Sequence, residues 1–160
     1  MTLIKGRRPV AEDCRHLDDD QPPPAAGRFT VSLSRWKNER ESLVAGGRAG
    51  VRLLAGEPPD GLAGDLGSLA LVAIEFPVFR DGRGYSYARR LREEFGYRGE
   101  IRAIGDVLRD QLVFMERCGF DAMELAPHQE PQDALKAFSE FSEFYQPDTH
   151  RKQPLYRRRK

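Results

Sequence analysis

Residues 69–76 read "LALVAIEF", a run that is apolar at both alternating positions. A strand with one wet face alternates apolar and polar residues; a strand covered on both faces does not. The run is strand-sized and far short of a membrane span. It therefore predicts an interior strand of a parallel sheet, with further structure on both sides of it.

The rest of the chain supplies partners for such a strand. "RFTVSLS" from residue 28 alternates Phe29, Val31 and Leu33, which predicts a strand. "RWKNERESLVAGG" predicts a helix ended by glycines. "GVRLLAGEPPDG" predicts a short strand and a turn, and "LAGDLGSL" at most a short helix. Beyond the central run, Tyr87, Leu91 and Phe95 recur at four-residue spacing along one helix face. "GEIRAIG" and "FDAMEL" predict strands. Between them "DVLRDQLVFMERCG" predicts a helix with Asp106 as its cap. "PQDALKAFSEFSEFYQ" predicts the last helix, with Pro131 near its start and Ala134, Phe138, Phe141 and Tyr145 on one face. The order is βα repeated about five times. It predicts one α/β domain with a mostly parallel sheet of about five strands flanked by helices. Two closures satisfy that order: a doubly wound sandwich, or sequentially adjacent strands forming part of a barrel. In both, the loops after the strands' carboxyl ends gather on one edge.

The predicted domain covers residues 28–145. Residues 1–27, ending in "AEDCRHLDDDQPPPAAG", are acidic and then proline-rich, and predict a flexible lead-in. Residues 146–160 predict an extended basic tail, with six cationic side chains in its last ten residues. At 39% apolar, 32% charged and net +1, the chain as a whole has no pull toward nucleic acid. It shows no membrane span and no signal peptide, which gives an expectation of a cytoplasmic protein.

The loop after the central strand holds the densest chemistry. In "FRDGRGYSYARR", Arg80, Asp81 and Arg83 surround Gly82 and Gly84, with Ser86 just beyond. A helix starting there would present free N–H groups to an anion, and arginines would add bidentate donors. Asp106 and Arg109, following the next strand, belong to the same edge. Arg80, Asp81, Arg83, Gly84, Ser86, Asp106 and Arg109 thus form a candidate site for an anionic ligand or a partner. In the bland reading the same residues make only a turn, a cap and a solvated surface.

Other chemistry is harder to find. Tyr87 stands where a dinucleotide fingerprint needs its third glycine, so no cofactor is expected. Cys14 and Cys118 lie about a hundred residues apart and form no metal-type pair, and His16, His128 and His150 are scattered. No metal site and no catalytic triad is legible. The tail, "QPLYRRRK", offers Leu155 and Tyr156 as anchors and Arg157 and Arg158 for an acidic rim on a partner, or else is a solvated terminus.

"EFPVFRDGRGYSYARRLREEFGYRGEIRAIGDVLRDQLVFMERCGFDAMEL", residues 75–125, resembles the signature region of the bacterial domain-of-unknown-function family 934. Arg80, Asp81, Gly82, Arg83, Gly84, Asp106, Arg109, Asp110 and Gln111 match its motif positions. Members of that family are labelled as oxidoreductases involved in sulfite reduction. The resemblance implies a role beside the sulfite reductase haemoprotein subunit, without an assigned mechanism. With no redox motif in the residues, the expectation is an accessory protein that binds the reductase or assists electron or substrate delivery. A small enzyme acting on a sulfur oxyanion or another anionic small molecule is the alternative.

Overall fold

The structure is a computed structural model and describes residues 2–140. The central run forms β6 (Leu71–Phe76), paired in parallel with β5 (Ala49–Leu53) and β7 (Glu100–Gly105). On the outer sides lie β4 (Arg28–Ser32), next to β5, and β8 (Ala122–Glu124), next to β7. Helices α1 (Leu33–Val44), α2 (Arg83–Glu93) and α3 (Leu112–Cys118) connect these strands, and α4 (Pro131–Lys136) follows β8. Between β5 and β6 the chain makes only two short 3-10 turns, Pro59–Leu62 and Leu66–Ser68. The parallel strands are sequential neighbours. The arrangement is therefore the partial barrel and not the doubly wound sandwich, whose strand order must reverse.

The amino-terminal segment corrects the reading of residues 1–27 as a lead-in. It contributes β1 (Leu3–Lys5), β2 (Arg8–Val10) and β3 (Cys14–His16), which brings the sheet to eight strands in the order β2-β1-β8-β7-β6-β5-β4-β3. β1 is antiparallel to both β2 and β8, while β3 is parallel to β4. Three-residue strands carry too little alternation to stand out from an acidic, proline-rich background. Their positions also determine the sheet's shape. β2 and β3 are its opposite edges, yet only residues 11–13 link them. Four residue steps reach at most about 14 Å, whereas eight strands laid flat would be roughly 34 Å wide. The sheet has to curl until its edges nearly meet.

The curl gives the sheet two unlike faces. Phe29, Val31, Val51, Leu53, Val72, Ile74, Phe76, Ile101 and Met123 point outward into one apolar cluster with Trp36 and Leu43 of α1, Leu91 of α2 and Met115 of α3. Burying a side chain such as Phe76 there stabilises the fold by about 1.5–3 kcal/mol. Gly84 lets α2 close on this face: a Cβ at Gly84 would lie 2.7 Å from Phe76 Cζ and 3.0 Å from Ile74 Cγ2. The inner face alternates with the outer one and is polar in most places. The register row Ser32, Arg52, Ala73, Arg102 and Ala122 crosses it from β4 to β8.

Candidate functional site

Inside the curl, Arg102 of β7 is fully buried and surrounded by four carboxylates. Its terminal nitrogens donate to Glu12 at 2.8 Å, Asp13 at 2.6 Å, Glu100 at 2.7 Å and Glu124 at 3.0 Å. Arg28 of β4 adds bonds to Asp13 and Glu100, and Lys5 of β1 donates to Glu100 at 2.6 Å. Across the mouth of the curl, His16 Nε2 lies 2.9 Å from Glu124 Oε1, and His16 Nδ1 lies 2.7 Å from Thr30 Oγ1. Side chains thus tie β3 to β8, and the link before β3 to β7, strands with which β3 shares no backbone pairing.

Electrostatics follow from the packing. Burial by itself pushes the Glu124 carboxyl up, but bonds and charges from His16 and Arg102 outweigh it and hold the group below its ordinary value. Glu100 and Asp13 are likewise lowered, against their burial: Glu100 by Lys5, Arg102 and Arg28, and Asp13 by Arg102 and Arg28. Burial pushes the Cys14 thiol up to about 12, so its thiolate is scarce at neutral pH. Cys14, His16 and Glu124 line an open cavity of about 650 Å³ together with Glu12, Arg15 and Gln21. His16 has both ring nitrogens engaged and Thr30 is fully buried. The cluster is therefore built to hold the curl shut rather than to transfer a proton to a ligand.

The glycine turn differs from the sequence reading in its details. Arg83 grips its own neighbour Asp81, with Nε–Oδ1 at 3.0 Å and Nη2–Oδ2 at 2.6 Å. Gly84 is needed for its missing Cβ, not for a left-handed turn, since its φ is not positive. Asp106 does not cap a helix. It accepts from Phe79 N at 3.0 Å and so pins the loop after β6 to the end of β7. The helix predicted from Asp106 begins only at Leu112, after a 3-10 turn at Arg109–Gln111 whose Leu108 N–H is met by Gln111 Oε1 at 3.0 Å. Arg109 faces α4 and the segment after it, bonding to Asp133 O at 3.1 Å and to Glu140. Ser86 is exposed on α2. The structure thus joins Asp106 to the turn and sends Arg109 elsewhere. Leu155, Tyr156, Arg157 and Arg158 lie outside the described residues.

Two features at the strands' carboxyl edge are unspent. Val78 and Phe79, between β6 and α2, are 56% and 53% exposed. Beside them Arg80 is exposed and makes no ion pair with another described residue. On the inner face, Arg52 Nε is buried and is the one buried side-chain polar atom among the described residues without a hydrogen-bond partner. Leaving such a donor unmet costs about 1–3 kcal/mol. The nearest carboxylate is Glu75, 4.0 Å away.

His16, Arg28, Thr30, Arg52, Glu75, Glu100, Arg102 and Glu124 were not picked out from the sequence. Five of them share a signal, a polar residue inside an otherwise apolar stretch of strand: Thr30 in "FTV", Arg52 in "GVRLL", Glu75 in "AIEF", Arg102 in "EIRAI" and Glu124 in "AMEL". Among the described residues there is no cluster of three or more His, Cys, Asp or Glu side chains that could hold a metal ion, and no helix long and apolar enough to cross a membrane.

Fold and inner face together define a single-domain α/β protein with a curled, mostly parallel half-barrel sheet whose interior is charged. The family model described as "Bacterial protein of unknown function (DUF934)" matches residues 50–156, and the chain belongs to that family. No curated protein matches it. The match begins within β5 and takes in both the glycine turn and the Arg52–Glu75 pair.

Proposed function

We propose that the chain is an accessory protein of assimilatory sulfite reduction that docks on the sulfite reductase haemoprotein through the loop between β6 and α2. The observation that carries the docking is the exposure of Val78 and Phe79 beside Arg80, itself exposed and in no ion pair with another described residue. Two adjacent large apolar side chains with a cation resemble the anchor of a protein interface more than a solvated loop. Asp106 holds the loop's backbone in place through Phe79 N, so little ordering remains to be done on binding. Arg83 and Arg109, spent on Asp81 and Glu140, set the loop's form and surroundings without facing the partner. The partner's identity rests on the resemblance of residues 75–125.

The test is capture of sulfite reductase by the full chain from cells grown on sulfate. Val78→Asp with Phe79→Asp should abolish capture, while Glu41→Ala on the exposed side of α1 should not change it. Equal capture by both variants refutes the docking surface. A second reading, a small enzyme acting on a sulfur oxyanion or another small anion, is favoured by Arg52, whose buried donor lacks a partner at the edge where barrels bind ligands.

A further inference from the structure

We infer that Arg52 and Glu75 form a binding site for a small oxyanion that keeps a proton of its own, such as hydrogen phosphate. The site shares a ligand class with the second reading above but needs no catalysis, and it does not depend on the docking loop.

The other buried side-chain polar atoms of the inner face all have partners among the described residues. Arg102, Arg28 and His16 all have hydrogen-bonded partners there. Arg52 stands in the same register row, two strands from Arg102, and its buried Nε has no hydrogen-bond partner among the described residues. Its row neighbours are Ser32 on β4 and Ala73 on β6, both small, so nothing from either strand fills the space beside it. Ser32 Oγ is already committed to Asp19 and to Arg35 N. Glu75 lies two residues further toward the carboxyl end of β6, with its side chain 34% exposed and that of Arg52 20% exposed. A gap of 4.0 Å is too long for a hydrogen bond and leaves both groups able to turn to a third molecule.

The pair also specifies the chemistry. A guanidinium fork suits the planar edge of an oxyanion. A carboxylate next to it repels an anion that has only acceptors, and accepts a hydrogen bond from one that carries a proton. Near neutral pH phosphate keeps such a proton and sulfate, of similar shape, does not. The site should therefore prefer phosphate to sulfate through Glu75, while Arg52 supplies the attraction common to both.

The experiment is calorimetric titration of the full chain with inorganic phosphate and with sulfate, using wild type, Arg52→Met and Glu75→Gln. Wild type should bind phosphate at least about tenfold more tightly than sulfate. Arg52→Met should weaken phosphate binding by about tenfold or more, yet unfold at the same temperature as wild type or higher in anion-free buffer, because it removes an unmet donor. Glu75→Gln should close the gap between the two anions by strengthening sulfate. The inference is overturned by unchanged phosphate binding in Arg52→Met, by no binding to wild type, or by a phosphate preference that survives Glu75→Gln. Loss of folding in Arg52→Met would equally overturn it, since that marks Arg52 as structural.

Discussion

Arg102 and Arg83 are both paired with carboxylates, and the two pairings have opposite meanings. Arg102 lies at the centre of the curl, has no exposed surface and meets four carboxylates drawn from β7, β8 and the link into β3. Arg83 is 57% exposed and meets Asp81, two residues away. Water has been removed from Arg102, Glu100 and Glu124 at the heart of the first arrangement, so each of these charges depends on the others. Water screens the second, and side-chain entropy offsets most of what the contact gains. Arginines cluster in sequence at and just after the turn, whereas the consequential arginine lies in a strand.

The largest test of this contrast is Arg102→Met. It leaves the buried carboxylates Glu100 and Glu124 without the arginine between them, while Glu12 and Asp13 face water, and it should destabilise the fold by about 3–5 kcal/mol, read from urea unfolding at pH 7. A loss no larger than that of Arg83→Ala would break the comparison. Next in size is Gly84→Ala, whose new methyl group would press on Phe76 and Ile74. Overpacking of this kind should cost about 1–3 kcal/mol, and a neutral result would show that α2 can shift away from β6.

Acid sharpens the comparison further. Glu124, Glu100 and Asp13 all have carboxyl groups held below their ordinary values. Their contribution is present in full above the unfolded values of about 4, and it is lost as pH falls through the lower folded ones. Unfolding midpoints measured from pH 7 to pH 2 should drop below about pH 4, and the deficit of Arg102→Met should shrink over the same range as the stranded carboxyls become neutral. A deficit that stays constant with pH would show that lost packing, not charge, accounts for it. Smaller still, the buried Cys14 thiol, pushed up to about 12, should resist a thiol-modifying reagent at pH 8 until the chain unfolds. The smallest effect belongs to Arg83→Ala, which should leave the unfolding midpoint unmoved.

Much of the fold was legible in residues close together in the chain. "LALVAIEF" marked the central strand because burial on both faces leaves a continuous apolar run, and β6 lies between β5 and β7. The α/β order and the placing of β4, β5, β7 and β8 followed from local alternation and spacing. The helix after β7 was expected too early, because Asp106 looks the same in sequence whether it caps a helix or holds a neighbouring loop. The amino-terminal strands were missed because three residues can pair only where an edge is already waiting for them.

What the sequence determined by itself was therefore the alternation of strand and helix, since each element's buried stripe is written in neighbouring residues. What only the tertiary structure decided was the inner face. Whether "EIRAI" holds a surface arginine or a buried one depends on Glu12, Asp13 and Glu124, which lie 89 to 90 positions before it and 22 after. They reach Arg102 only because a three-residue link forces the sheet to curl. The same curl leaves Arg52 Nε without a hydrogen-bond partner among the described residues, a fact about absence that no local pattern carries. Charges act through space, and the distances that set their worth exist only once the chain has closed on itself.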